Sequence, residues 1–254
     1  MYLLLDIGNT HTHAGLANGR RIVRHLDTPT ESWRSGRASD RLLDWIGHSE
    51  PSQAAFCSVV PRATPSVRRF LRNRYRIDPL QLTPGTLTGI GIRYPKPETI
   101  GQDRLANAVA ARQHYGAPCV VVDFGTAVTF DIVDRAGNYV GGIIAPGLAA
   151  MTDYLHDKTA LLPRIKVRET TLRIGKSTQE AMLIGAVHGY RGLIRELLGR
   201  IKTEIDVARL PVVATGGYAK LIAAKMPEIT AVDPLLTLEG LRINFFLSAQ
   251  ADES

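Results

Sequence analysis

The chain opens on "YLLLD", an apolar run, and two further short runs follow it closely, "HTHAGLA" and "RIVRHLD". Their apolar positions do not recur at helical spacing, so the pattern predicts three strands, with Gly8 and Asn9 supplying the turn between the first two. A helical period then appears around "SDRLLDWIGHS". It is followed by "QAAFCSVV" as a buried strand and "RRFLRNRYR" as a helix, with Phe70, Leu71 and Tyr75 at helical spacing. "PGTLTGIGIRYPKPETIG" is dense in Gly and Pro and reads as an irregular loop. "QDRLANAVAARQHY" sets Leu105, Val109 and Ala110 on one stripe of good helix formers and predicts a helix.

The second half repeats this plan. "CVVVDF", "VTFDIVD" and "NYVGGIIAPG" predict three strands, the last two joined through Ala136-Gly137-Asn138. Helices are expected at "AAMTDYLHDKTA" and over the long stretch "STQEAMLIGAVHGYRGLIRELLGRIKTEI". A late strand, "LPVVATGG", then feeds the helix "YAKLIAAKM", and the polar end "SAQADES" is expected to fray. Two halves with one order of elements point to a duplicated α/β fold, cut into residues 1–115 and 116–254.

A length of 254 residues with 44% hydrophobic residues suits such a pair of cores and excludes disordered and fibrous classes. No apolar run reaches the roughly 18 residues of a membrane span, and "MYLLLDIG" has no basic leader or cleavage site, so a cytoplasmic protein is expected, without a membrane partner. A net charge of +7 raises the question of nucleic acid. The arginines of "RRFLRNRYR" read instead as the wet face of an amphipathic helix, and positive potential also collects small anions. Cys57 and Cys119 both lie in apolar strand-like runs and read as buried free thiols.

Chemistry concentrates where two apolar strands end in Asp-x-Gly, at Asp6 and again at Asp123. Such a turn puts a carboxylate at the sheet's edge and frees the following amides for phosphate oxygens, with the glycine permitting close approach. Asn9, Thr10, Thr126 and Thr129 add short polar side chains, and "ATGGYA" supplies a third glycine-rich turn. Two facing turns of this kind would grip a polyphosphate and its metal across a cleft between the halves. In "GQDRLANA", Asp103 stands just inside a helix start, where the dipole favours the ionised form, and an ionised carboxylate can take a hydroxyl proton. Arg104 beside it can bind an anionic group. "IGKSTQE" mimics the end of a phosphate-binding P-loop, but Thr170 stands where that pattern needs glycine, so it reads as a helix start capped by Ser177 or Thr178, with Glu180 completing a capping box if Ser177 is the cap. His11 and His13 mimic a metal pair and lack a third ligand.

"DIGNTHTHAGL", "SVVP", "YPKPETIGQDRLANAVAA", "VVVDFGTAVTFDIVD", "GGIIAPGL", "TALLP", "IGKSTQEAMLIGAVHG" and "ATGGYA", in this order, resemble type III pantothenate kinase over nearly the whole chain. The resemblance implies two duplicated actin-like (ribonuclease H-like) α/β domains with a cleft between them, a homodimer, and phosphorylation of pantothenate to 4'-phosphopantothenate at the start of coenzyme A synthesis. It implies ATP as donor with a divalent cation such as Mg2+, and a monovalent cation, K+ or NH4+. Carried onto this chain, Asp6, Ile7, Gly8, Asn9, Thr10, His11, Thr12 and His13 form the first phosphate loop, with Asp6 reaching the divalent ion through water. Asp103 is the base; Tyr94, Gly101, Gln102, Asp103, Arg104 and Thr178 bind pantothenate, Thr178 from across the dimer interface. Asp123 holds the monovalent cation and Thr126 contacts ATP. The alternative within the resemblance is a catalytically silent accessory factor in gene regulation. Sugar and acetate kinases of the same superfamily are the other rival.

Overall fold

The computed structural model describes residues 1–252. Its contacts divide the chain into two compact units, Met1–His114 with Gly137–Val140 and the segment from Leu235 on, and Tyr115–Ala136 with Gly141–Pro234. One boundary thus falls next to residue 115, and Gly137–Val140 and the segment from Leu235 on also count with the first unit.

The first unit holds β1 (Tyr2–Ile7), β2 (His11–Ala17), β3 (Ile22–Pro29), β4 (Gln53–Ser58) and β5 (Leu80–Gln81), in the order β3-β2-β1-β4-β5. β1 runs antiparallel to β2 and parallel to β4. Leu3, Leu4 and Leu5 are all fully buried, the mark of a strand covered on both faces, which is why "YLLLD" reads as an unbroken apolar run. Between the strands lie α1 (Arg37–Ile46) and α2 (Thr64–Tyr75), whose Leu42, Ile46, Val67 and Leu71 share a core with Leu3, Leu5 and Phe56. α2 starts four residues before the basic run, with proline in its first turn, and buries Val67 and Leu71; Phe70 and Tyr75 only flank that core. Within the loop predicted irregular, β6 (Gly91–Ile92) pairs in parallel with Asn138 and Tyr139. α3 (Gln102–Tyr115) is buried all round from Leu105 to Ala111, not along one stripe.

The second unit repeats the topology. β7 (Cys119–Phe124), β8 (Ala127–Val133), β9 (Asn138–Pro146), β10 (Val212–Thr215) and β11 (Ala231–Val232) follow the order β11-β10-β7-β8-β9. Here too the first strand is antiparallel to the second and parallel to the fourth. α4 (Leu148–Lys158) follows β9. The long helix expected from Ser177 divides into α5 (Thr178–Ile184), a π-helical turn over Gly185–Gly189, and α6 (Tyr190–Ile205). α7 is the short helix Ala219–Ala223. The chain closes with α8 (Leu236–Asp252), which the sequence pattern did not predict and which packs on β1 and β4 of the first unit. The end expected to fray is therefore helical as far as Asp252, and Glu253 and Ser254 lie outside the described residues. No helix among the described residues is long and apolar enough to cross a membrane.

Candidate active site

Asp6 and Asp123 occupy one structural position twice. Each is the fifth residue of the first strand of its unit; Asp6 stands opposite His13 and Cys57, Asp123 opposite Thr129 and Thr215.

Asp6 is buried at the end of β1, and the Cys57 thiol donates to its Oδ1 at 3.4 Å. Burial first, and then the carboxylates of Asp6 and Asp103, push the Cys57 thiol well above its ordinary value, so it stays a neutral S–H donor. Cys57 was read from sequence only as a buried thiol; nothing in its apolar surroundings signals a carboxylate partner. The loop beyond Asp6 is pinned from inside. The Gly8 amide donates to the His11 carbonyl at 3.0 Å, and the Thr30 hydroxyl donates to the Gly8 carbonyl at 2.7 Å. Thr12 is buried, its hydroxyl sharing a hydrogen bond with Thr30 and accepting one from Trp33 Nε1, and Ile7 is a core residue. Asn9, Thr10 and His11 are exposed at the tip, and His13 Nδ1 meets Asp27 Oδ1 at 2.7 Å.

Asp103 stands in the first turn of α3, where its Oδ1 accepts from the Arg104 amide at 2.8 Å. The sequence argued that the helix terminus would favour its ionised form. The structure reverses the sign: loss of solvent around the carboxyl raises it above the ordinary carboxylate value and outweighs the Arg104 amide and guanidinium, which pull it down. A Cβ on Gly101 would fall 2.6 Å from Asp103 Oδ1, so that glycine makes room for the carboxylate. Asp6, Cys57 and Asp103 therefore gather at the ends of β1 and β4. Near them Tyr139, fully buried, carries the Arg104 guanidinium 5.8 Å over its ring and the Tyr94 ring edge-on at 6.2 Å. Sequence reasoning missed Tyr139; the β6–β9 pairing that delivers it rests on two residues in a Gly-rich segment. Gln102 turns its Oε1 to the Ser58 amide at 2.9 Å.

In the second unit, Gly216 has φ of +88° and leaves no room for a side chain, since a Cβ would lie 2.5 Å from Asp123 Oδ1. The third glycine-rich turn thus closes on the second Asp-x-Gly. Gly147, also missed, donates its amide to the Thr126 carbonyl at 3.1 Å, and a Cβ there would stand 2.2 Å from that oxygen. Thr126 itself is exposed. Thr178 is an exposed residue opening α5, behind the cap in which Ser177 Oγ accepts from the Glu180 amide at 3.2 Å and Glu180 Oε2 accepts from the Lys176 amide at 2.7 Å.

Among the described residues no three His, Cys, Asp or Glu side chains gather as a metal cage. A strand-end carboxylate such as Asp6, beside an open backbone turn, fits a hard divalent cation that keeps its waters and is shared with phosphates. Both cysteines are buried and unpaired with each other.

The family model for type III pantothenate kinase matches residues 2–200. A type III pantothenate kinase of Akkermansia muciniphila is 48% identical over 245 residues, 95% of this chain and 97% of that protein. One of Methylacidiphilum infernorum is 43% identical, over 95% of this chain and 86% of that protein. Among solved structures, one described as a Baf family transcriptional activator from Campylobacter jejuni superposes with a TM-score of 0.63 at 20% identity, over 98% of this chain and 99% of that one. An inorganic polyphosphate/ATP-glucomannokinase from an Arthrobacter species does so with a TM-score of 0.50 at 13% identity, over 99% and 100%. At such identities these structures establish the two-domain actin-like α/β fold alone. The family model and the near full-length relatives together place this chain in the type III pantothenate kinase family.

Proposed function

We infer that this chain transfers the γ-phosphoryl group of ATP to the primary hydroxyl of pantothenate, giving 4'-phosphopantothenate and ADP in the first step of coenzyme A synthesis. The observation that carries the reading is the carboxyl of Asp103, held at a helix start with its proton affinity raised, in one cluster with Asp6 and beside Arg104 and Tyr94. As the hydroxyl oxygen bonds to the γ-phosphorus and the bridging bond to the β-phosphate breaks, the hydroxyl proton passes to Asp103 Oδ2, because Oδ1 already accepts the Arg104 amide. Arg104, its guanidinium over the Tyr139 ring, offers its planar fork to the pantothenate carboxylate, with Tyr94, Gly101, Gln102 and Thr178 completing that site. The turn from Asp6 to His13, with Asn9, Thr10 and His11 exposed, and the turn at Thr126 bind ATP phosphates. Asp6 would orient the waters of the divalent cation, which supplies charge neutralisation on the phosphates. Asp123, under the Gly216 backbone, would hold a monovalent cation, K+ or NH4+. In this reading residues 1–115 and 116–254 form the two domains, and the enzyme works in the cytoplasm.

A homodimer belongs to the same reading. Ile144, Tyr154, Leu155, Leu161, Leu172 and Ile174 leave an exposed apolar set on and around α4 and the segment before α5, with Leu161 at 89% exposure and Ile174 at 82%. The accessory-factor alternative is less favoured, because three arginines of the basic run are engaged at home: Arg68 with Gln81, Arg72 with Asp78 and Arg74 over Tyr75.

An assay of ADP release with pantothenate, set against a panel of sugars and short carboxylic acids, should respond to pantothenate alone. Equal turnover with a sugar would overturn the reading. Replacing potassium by sodium should lower kcat several-fold; equal rates would remove the cation role from Asp123. Gly147→Ala should raise the KM for ATP about ten-fold with less effect on pantothenate, since its methyl must displace the Thr126 carbonyl. An unchanged KM for ATP would take Thr126 out of the nucleotide site.

A further inference from the structure

We propose that Gln81 is a positioning residue for Asp103, acting through Gln102 and braced by Arg68. This rests on the assignment of Asp103 as the base. The residues concerned line a groove of about 520 Å³ in the first unit, bounded by Ser58, Thr64, Arg68, Gln81 and Gln102. None of the glycine-rich turns lines it, and the sequence reading gave Gln81 no role and Arg68 only a place on the wet face of a helix.

The hydrogen bonds through this groove have only one consistent direction. Arg68 can only donate, so the atom of Gln81 that its Nη2 meets at 2.7 Å is Oε1. Gln81 must then present Nε2 to its other side, where it donates to Gln102 Oε1 at 3.2 Å. The Ser58 amide, which also can only donate, meets the same oxygen at 2.9 Å. A cation at one end and a backbone N–H at the other therefore fix both amide orientations. The Arg68 guanidinium is itself held 5.0 Å over the Phe56 ring, and the Thr64 hydroxyl donates to Ser58 Oγ at 2.8 Å.

Position explains the consequence. Gln102 is the first residue of α3 and Asp103 the second; directly before them the chain is a loop with the short 3-10 turn Pro97–Thr99. Ser58 ends β4 directly after Cys57, the residue that donates to Asp6. The Gln102–Ser58 bond thus ties the helix start carrying Asp103 to the strand supporting Asp6, and Gln81 makes Gln102 keep its oxygen turned that way. Displacing a base by a fraction of an ångström lowers the rate without loosening substrate binding.

The test uses the full chain with Gln81→Leu, Gln81→Glu, Gln102→Leu and the double variant Gln81→Leu/Gln102→Leu. Gln81→Glu is isosteric and keeps the Arg68 contact while removing the donor to Gln102, so it stands in should the leucine variant not fold. Both Gln81 variants should lower kcat roughly five- to ten-fold with the KM for pantothenate and for ATP within about two-fold. In the Gln102→Leu background, Gln81→Leu should add nothing, because the two act in one chain. An unchanged kcat, or an equal further loss in the double variant, overturns the proposal. Failure of the base assignment itself shows separately, as turnover surviving Asp103→Asn.

Discussion

Asp103→Asn is expected to lower kcat by about 10²- to 10⁴-fold while leaving the fold and the pantothenate affinity intact, the loss typical of removing a general base. Asn is isosteric and can still accept the Arg104 amide, so only the proton acceptor is lost. The pH dependence adds a second readout. The parent's kcat should fall on acidification as Asp103 takes up a proton, along a limb displaced upward from the ordinary carboxylate range because burial raises this group. Stability should run the opposite way. A carboxyl whose folded value lies above its unfolded value binds more protons in the native state between the two; its stabilising share is complete below the unfolded value and is lost as pH rises through the folded one. At neutral pH the parent therefore carries the cost of a charge in a poorly solvated site, and Asp103→Asn does not. The variant should melt at or above the parent's Tm at pH 7, with the difference closing in acid. A dead enzyme that also melts lower at pH 7 would mean that Asp103 serves the fold, and near-full turnover would end its assignment as base.

The duplicated plan was readable because both sheets present the same succession of buried strand, Asp-x-Gly turn and hairpin. β1 and β7 are covered on both faces, so their apolar runs are unbroken and conspicuous. Asp6 and Asp123 were legible for the same reason: a carboxylate interrupting such a run at its end stands out. What stayed hidden depends on contacts that no local pattern encodes. β5, β6 and β11 are two residues each, too short for any period. Tyr139 gains its place beneath Arg104 and Tyr94 from a pairing with Ile92, far away in sequence. The sign of the Asp103 shift was misjudged because the helix terminus is visible in the sequence and desolvation is not. A solvent-exposed terminal effect is worth about 0.3–1 kcal/mol, and burial of a charge readily exceeds it.

α8 shows the same limit at the scale of a whole element, and it carries the second large prediction. The helix lies against α3: Thr237 Oγ1 donates to the buried Asn107 Oδ1 at 2.8 Å, and Gly240 passes so close that a Cβ there would stand 1.9 Å from the Ala106 carbonyl oxygen and 2.4 Å from its carbon. On propensity alone, Gly→Ala inside a helix stabilises by up to about 1 kcal/mol. Here the obstructing atoms are backbone, which cannot rotate away, so Gly240→Ala must push α8 off α3. Overpacking of this kind costs about 3 kcal/mol, and for a chain of this size each kcal/mol lowers Tm by about 2–4 °C, so a fall of roughly 6–12 °C is expected. Because Ala106 lies one turn beyond Asp103, kcat should fall as well. Gly199→Ala on α6 is the matched control, since nothing lies within 4 Å of the Cβ it would add, and it should hold or raise Tm. Thermal melts of the two variants side by side decide the matter: Gly240→Ala behaving like Gly199→Ala would mean that α8 does not seat against α3 in this way.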